Sequence, residues 1–406
     1  MHPRLIPLSA VTDADVRAWQ RLADAAAEPN AFLDPRFLVP ARHAGRGAAD
    51  VRLVVVQEAE EWLAVLAVTT KSVAPGVPLR ATTTGGAFLT TYSDRHHPLV
   101  RTGRETEALE ALLRAVPAVG LPALVQLQHF PAEGVLADSL AEVLARSRML
   151  VHERRRAVSA FAARRTVPDA PVCAPSTLGR VLDLPLVVDH LGAGRRKDLR
   201  RRIRALERAA GGPLLLEDVS ADPATDDDFI TLQASGWKGD LAAGGAALGL
   251  DPSAQRWFRS LLDGFRRTGD LLALRLVAGG RTQWMGYTLR SGRACFGFLD
   301  AYCEQHRHLS PGAVGRLAEL THVLASTDAR YLDPAFDARY AVGAQTYPDA
   351  RTHVDLLVAT RGMVAHSAVR AMPVARRLGF RAQVLALPLA PEYGEPLEQV
   401  LLLLGA

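Results

Sequence analysis

The sequence predicts an α/β (α+β) protein built of two successive units, and three observations predict it. Residues 293–333 read as a strand, a glycine-bearing turn, a helix and a second strand. Each half carries two apolar strands joined by a short turn: Val51–Val56 with Trp62–Val68, and Leu271–Val277 with Gln283–Leu289. Between the halves, the stretch 162–177 holds Pro168, Pro171 and Pro175 and breaks every periodicity, which marks a linker. The expected boundaries are therefore 1–165 for the first domain, 166–180 for the linker and 181–406 for the second domain.

Taken in order, residues 13–45 read as helical, with Trp19 and Leu22 inward. The two strands of the first half meet at a polar turn, Glu58–Glu61, and Pro75-Gly76 and Gly85-Gly86 mark loops. A helix near 104–116, a strand at Ala123–Leu127 and a helix near 138–147 complete this half. The second half opens with a strongly basic helix, Arg195–Ala209, whose Leu199, Ile203 and Leu206 form one apolar stripe. Helices near 226–235 and at 252–267 follow, then the strands flanking Ala278-Gly279-Gly280-Arg281, a hairpin signal. After the unit at 293–333 comes the strand His353–Ala359.

Composition bounds the function. The chain has 406 residues, 49% hydrophobic and 22% charged, enough for an ample core and typical of a globular protein. Its net charge is +5, and Lys71, Lys197 and Lys238 are the only lysines, so the positive charge is nearly all arginine. That balance suits an anionic ligand without demanding nucleic acid. Cys173, Cys295 and Cys303 are odd in number and lack metal spacing, as expected of a reducing compartment. No apolar block follows the start, and no apolar run reaches membrane-spanning length, so the expected location is cytoplasmic, with no membrane contact. His96 and His97 are adjacent and diverge, and His306 and His308 flank Arg307 without a third ligand, so no metal is expected. Neither a Gly-x-Ser-x-Gly elbow nor a Walker loop is present.

The chemistry-bearing stretch is Arg307-His-Leu-Ser310-Pro-Gly312-Ala313-Val-Gly315. Ser310 can cap the following helix and Pro311 suits its first position. Free N–H groups at such a helix start, with the helix dipole, favour a phosphate. Gly312 and Gly315 would let a bulky anion approach the backbone. The bland reading, a plain helix cap, stands beside this one.

Five blocks carry a resemblance. They are Asn30-Ala-Phe-Leu-Asp-Pro-Arg-Phe37, the basic helix, the intact pentapeptide Ser235-Gly-Trp-Lys-Gly239, the pairing of Tyr302 with Ser310-Pro-Gly312, and Leu332-Asp-Pro-Ala-Phe-Asp-Ala-Arg-Tyr-Ala-Val-Gly343. Together they resemble the GNAT acyltransferases associated with cellulose-biosynthesis clusters (the CelD/BcsL type), across nearly the whole chain. The resemblance implies two tandem GNAT-like domains, each a mixed, mostly antiparallel twisted sheet flanked by helices. It implies acetyl-CoA or another acyl-CoA as donor and a small-molecule or peptide amine as acceptor. Two departures stand out: Ser310 replaces a glycine of the phosphate loop, and the last block lacks its two early glycines and has Arg339 for lysine. Fem-type aminoacyltransferases share the tandem arrangement and take their acyl group from tRNA, which keeps tRNA open as the alternative partner. A non-catalytic binding protein on the same frame is a third reading, and the oligomeric state is left open.

On that resemblance, Arg307, Ser310, Gly312, Ala313 and Gly315 hold the donor's pyrophosphate, and strand amides near Phe298 and Leu299 hold its arm. Trp237, Lys238, Arg200 and Arg339 fall to substrate binding. Arg200 equally suits a solvated helix face, and Trp237 a packing anchor. For proton transfer the candidates are Asp300 and Asp333, at the ends of the two strands that splay around the thioester, with Tyr302 and Tyr340 as acids toward the leaving thiolate. A loop-capping role is the competing reading for each aspartate.

Overall fold

The computed structural model describes residues 1–43, 47–73, 79–93, 95–165, 178–242, 244–336, 343 and 345–377. The first half runs β1 (His2–Pro7), α1 (Asp13–Asp24), α2 (Pro35–Leu38), β2 (Arg52–Glu58), β3 (Glu61–Ser72), β4 (Arg80–Thr83), α3 (Ala87–Tyr92), β5 (Leu99–Val100), α4 (Glu105–Ala118), β6 (Leu124–Pro131), α5 (Val135–Arg146) and β7 (Leu150–Ala163). The second runs β8 (Gly179–Arg180), α6 (Ala193–Ala210), β9 (Leu215–Asp218), α7 (Thr225–Ala234), α8 (Pro252–Arg267), β10 (Leu271–Ala278), β11 (Arg281–Ser291), β12 (Ala294–Tyr302), α9 (Pro311–Ser326), β13 (Tyr331–Asp333), β14 (Asp349–Ala359) and α10 (Met363–Arg377).

Two sequence readings change. The helical span 13–45 breaks after α1, because Pro29, Pro35 and Pro40 leave only short turns between 31 and 43. Part of the supposed linker is strand: β7 runs to Ala163 and Gly179–Arg180 pairs with β9, while 166–177 lie outside the described residues.

The strands form one fourteen-stranded sheet in the order β1-β2-β3-β4-β6-β14-β7-β13-β12-β11-β10-β9-β8, with β5 beside β3. Neighbours are antiparallel except at two places. Thr82 and Thr83 of β4 run parallel to Val125 and Gln126 of β6, and Ala294–Phe296 of β12 run parallel to Tyr331–Asp333 of β13. Each half thus has its own parallel junction. At the centre the halves exchange strands: β14 sits between β6 and β7, and β7 sits between β14 and β13.

One face of the sheet carries a core shared by both halves. Phe32 and Phe37 of the first half pack with Trp257, Phe258, Phe296 and Phe298 of the second. The Trp257 indole N–H donates to the Phe37 carbonyl at 3.1 Å. Asn30 and Asp34 fix this wedge: the Asn30 amide donates to the His97 carbonyl at 2.9 Å, and the Asp34 carboxylate caps α2 through Arg36 N–H at 2.8 Å. Both are fully buried, so the motif Asn30–Phe37 owes its polar residues to turn formation inside a core. The opposite face is covered by α4 and α5 in the first half and by α6 and α9 in the second.

Candidate active site

The start of α9 is the centre of the site. Ser310 has φ +57° and ψ +51°, the left-handed region that glycine takes freely and serine rarely. The backbone therefore keeps the conformation of the glycine that serine replaces. The side chain does not cap the helix as the sequence suggested. Its hydroxyl instead accepts from Arg202 Nη1 at 2.6 Å, and Asp198 holds the Arg202 Nε at 2.7 Å. Pro311 lacks an N–H and Ala313 N–H bonds the Ser310 carbonyl, so the first turn of α9 leaves the Gly312 N–H for a ligand.

Arg202 is the residue that sequence reasoning missed. It lies three positions after Leu199 and four before Leu206, so it borders the buried stripe, and that spacing was the signal that could have found it. Arg200 is exposed, and Arg201 pairs with Asp198 at the surface. Arg307 is exposed beside the loop, and its carbonyl accepts from Ser310 N–H at 2.9 Å.

The two glycines face the sheet. A Cβ on Gly315 would lie 2.1 Å from the Trp284 indole, and one on Gly312 would lie 3.3 Å from the Tyr302 ring. Both are buried, so their smallness lets α9 sit close on β11 and β12. This corrects the expectation that Gly315 clears room for an anion. Tyr302 lies beneath the first turn of α9, and Ala313 N–H bonds the Ser310 carbonyl at 3.1 Å.

Beside the loop, β12 carries a bulge: Leu299 opposes Tyr287 and Gly297 opposes Thr288, which leaves Phe298 unmatched. The Phe298 ring turns into the shared aromatic core, 5.6 Å from Phe37. On its other edge β12 pairs with β13 only as far as Phe296 and Asp333. Pro334 then closes against Gly297, where a Cβ would meet the Pro334 carbonyl oxygen at 2.8 Å. Beyond it the edge from Phe298 to Tyr302 has no strand partner among the described residues.

Ser235–Gly239 folds over the end of β12. Lys238 Nζ donates to the Asp300 carbonyl at 3.2 Å, and Gly236 lies so close to Glu304 that any side chain there would collide with it. Gly239 leaves no room either, since a Cβ would overlap the Ala234 carbonyl. Trp237 is partly buried in the same turn.

Neither aspartate is available as a base. Asp300 pairs with Arg316 at 2.8 Å and accepts from the Trp284 indole at 3.1 Å. Burial is the largest single influence and opposes its charge, yet Arg316, Lys238 and the Trp284 hydrogen bond together hold its pKa below the usual carboxylate value. Asp333 is fully buried, with both oxygens taken by Arg95 at 2.7 and 2.6 Å and a further bond from Ala335 N–H at 2.8 Å. Against the effect of burial, Arg95 likewise depresses its pKa. Their place is that of anchors, contrary to the expectation that both carboxylates face the reaction centre. Ala335 has φ +52°, so it too stands in the left-handed conformation at one of the missing glycines. Tyr340 and Arg339 lie outside the described residues. Cys295 is buried, which pushes its thiol up to about 12 and makes it inert.

One carboxyl is poised differently. Glu319 of α9 is buried and accepts from the Thr288 hydroxyl, and burial raises it from 4.5 to about 7. The folded protein thus keeps a proton that the unfolded chain releases. Stability falls as pH rises between about 4.5 and about 7 on this account, by on the order of 3 kcal/mol. Glu319→Gln should flatten that fall, which urea denaturation of both proteins at pH 5 and pH 8 checks.

Among the described residues no cluster of three or more His, Cys, Asp or Glu could hold a metal, and no helix is long and apolar enough to cross a membrane. Residues 193–342 match the family model described as Acetyltransferase (GNAT) domain, starting at α6 and running past β13. The second half carries a GNAT domain. That match supports an acyltransferase, with α9 as the helix behind the GNAT domain's candidate donor loop. Among solved structures, FemX is similar at 9% identity, covering 93% of this chain and 100% of its own, with a TM-score of 0.54. A conserved protein of unknown function from Bacteroides thetaiotaomicron is similar at 12% identity, covering 86% and 98%, with a TM-score of 0.51. A tandem GNAT protein from the clavulanic acid biosynthesis pathway matches at 13% identity over 89% and 100%, with a TM-score of 0.39. At such identities the likeness to the first two is one of fold. No curated protein sequence matches this chain.

Proposed function

We propose that the protein is an N-acyltransferase that moves an acyl group, most simply acetyl, from acyl-CoA to a primary amine without a covalent enzyme intermediate. The observation that carries this is the open start of α9, with Arg202 and the left-handed Ser310 at its mouth and the free edge of β12 beside it. Arg202, Arg307 and the Gly312 N–H at the start of α9 suit a pyrophosphate, arginine's fork being shaped for it. Amides of the free edge suit the amide-bearing arm and polarise the thioester carbonyl. The amine's lone pair forms the C–N bond and the C–S bond breaks with its electrons on sulfur. The proton lost by nitrogen ends on the thiolate, giving an amide and free coenzyme A.

In this reading residues 1–165 form a GNAT-like domain that closes the acceptor side, 166–180 link it to the donor domain at 181–406, and the protein works in the cytoplasm. The CelD/BcsL type is the branch that the Ser235–Gly239 and Asn30–Phe37 motifs support.

Thermal shift with acetyl-CoA tests the donor directly: at about a hundred times its Kd a ligand stabilises by roughly 2.7 kcal/mol. Arg202→Ala should raise the KM for acetyl-CoA about tenfold, as expected when a charged hydrogen bond worth ~1.5–3 kcal/mol is lost. The double change Arg200→Ala with Arg201→Ala should alter it less than threefold, because those side chains lie at the surface. Equal effects from both would move the donor away from the loop.

Two observations favour a second reading, transfer from aminoacyl-tRNA. Pro334 narrows the gap beside Gly297, and α6 exposes Arg195, Lys197, Arg200, Arg204 and Arg208. Activity that needs charged tRNA, disappears with ribonuclease and weakens steeply with salt would establish that donor. A protein that binds acetyl-CoA and transfers nothing would instead be a binding module.

A further inference from the structure

The free edge of β12 is already occupied at one point, and by a cation. Lys238 is partly buried in the turn Ser235–Gly239, and its Nζ donates to the Asp300 carbonyl at 3.2 Å. The Asp300 carboxylate lies close enough to feel the charge of Lys238, but it is bonded to Arg316 and to the Trp284 indole. Lys238 forms no ion pair among the described residues, so two of its three ammonium hydrogens remain for a ligand.

The register of β12 shows which carbonyl Lys238 has taken. Cys303 N–H donates to the Gln283 carbonyl, so those two residues form a hydrogen-bonded pair. Hydrogen-bonded and non-hydrogen-bonded pairs alternate along an antiparallel ladder. Asp300 opposite Gly286 and Tyr302 opposite Trp284 are therefore non-hydrogen-bonded pairs. Their N–H and C=O groups point away from β11, toward the free edge. Lys238 thus closes that edge between the bulge at Phe298 and the start of α9.

A donor arm laid along this edge offers an amide N–H of its own to the Asp300 carbonyl. To bond there it must displace the ammonium, exchanging a charged hydrogen bond for a weaker neutral one. The turn itself is held in place. Gly236 abuts Glu304, Gly239 abuts the Ala234 carbonyl, and Ala247 N–H donates to the Lys238 carbonyl at 2.8 Å. Only the flexible lysine stem is left to move. Tyr302, beneath the first turn of α9, is two residues on, roughly 7 Å along the strand. A phosphate at that turn gives the displaced ammonium a new partner. An arm without phosphate gives it none.

We propose that Lys238 sets donor specificity: it holds the Asp300 carbonyl until a thioester whose amide-bearing arm ends in phosphate displaces it, and its ammonium then moves to that phosphate. The proposal rests on the acyl-CoA reading above. Acetyl-CoA and S-acetylpantetheine, which has the same thioester and arm without phosphate, are titrated separately by calorimetry into the full chain without acceptor. Lys238→Met should weaken acetyl-CoA about tenfold, as expected for a lost charged hydrogen bond. The same change should tighten S-acetylpantetheine about threefold, because the arm then takes the Asp300 carbonyl without competition. A variant that merely loosened the turn would weaken both. Should Lys238→Met fail to fold by circular dichroism, Lys238→Gln, also uncharged, decides by the same two titrations. S-acetylpantetheine binding no tighter in the variant, or acetyl-CoA binding unchanged, overturns the assignment of Lys238 and leaves the donor reading standing. Failure of acetyl-CoA to bind the wild-type protein would sink the donor reading, and this proposal with it.

Discussion

Arg95→Met is expected to cost about 3–5 kcal/mol of stability, because it leaves the Asp333 carboxylate buried without a counter-charge. The two side chains are 2% and 1% exposed. The pair also ties the first half to the end of β13, so its loss loosens the junction of β13 with β12. Urea denaturation of the single variant measures the loss. Arg95→Met with Asp333→Leu should recover most of it, since an apolar pair of similar volume removes the stranded charge. If the double variant is as unstable as the single one, Asp333 matters for the turn at Ala335 more than for the ion pair.

Gly315→Val should be the most damaging change in α9. Its Cβ would overlap the Trp284 indole at 2.1 Å, and both residues are buried between helix and sheet. Overpacking of this kind costs about 3 kcal/mol or more, and a β-branched side chain inside a helix adds to it. Gly312→Val meets Tyr302 at 3.3 Å, a contact that a small ring shift relieves, so its melting temperature should fall much less. Thermal denaturation of the two variants separates them. Adding Trp284→Ala should restore part of the stability of Gly315→Val and none of that of Gly312→Val. Comparable losses from both glycine variants would mean that α9 can shift away from the sheet.

The strands on either side of each hairpin, the helix at 252–267 and the loop at Ser310 were legible because period and turn chemistry act locally. β7 was not. Charged residues at Glu153, Arg154, Arg155 and Arg156 hide its alternation, and the neighbouring prolines draw the eye to a linker. Exchange of β7 and β14 involves partners nearly two hundred residues apart, and no local pattern encodes it. The replaced glycines misled for a different reason. Ser310 and Ala335 keep the left-handed backbone that glycine would have supplied, so the loops survive a change that sequence comparison reads as loss. Similarly, His96 and His97 diverge as expected, but only the fold shows that both end in one buried wall.

The strand exchange also sets a timetable for biosynthesis. β6 and β7 leave the ribosome early, but the strand that must lie between them, β14, follows roughly 190 residues later. At ~5–20 residues per second that is a wait of about 10–40 s, during which the edges of β6 and β7 are unpaired. The exposed charged residues of β7, Glu153, Arg155 and Arg156, are then a safeguard. Charge on a waiting edge discourages pairing with a neighbouring nascent chain, and the arginines that obscure the strand in the sequence protect it until its own partner arrives.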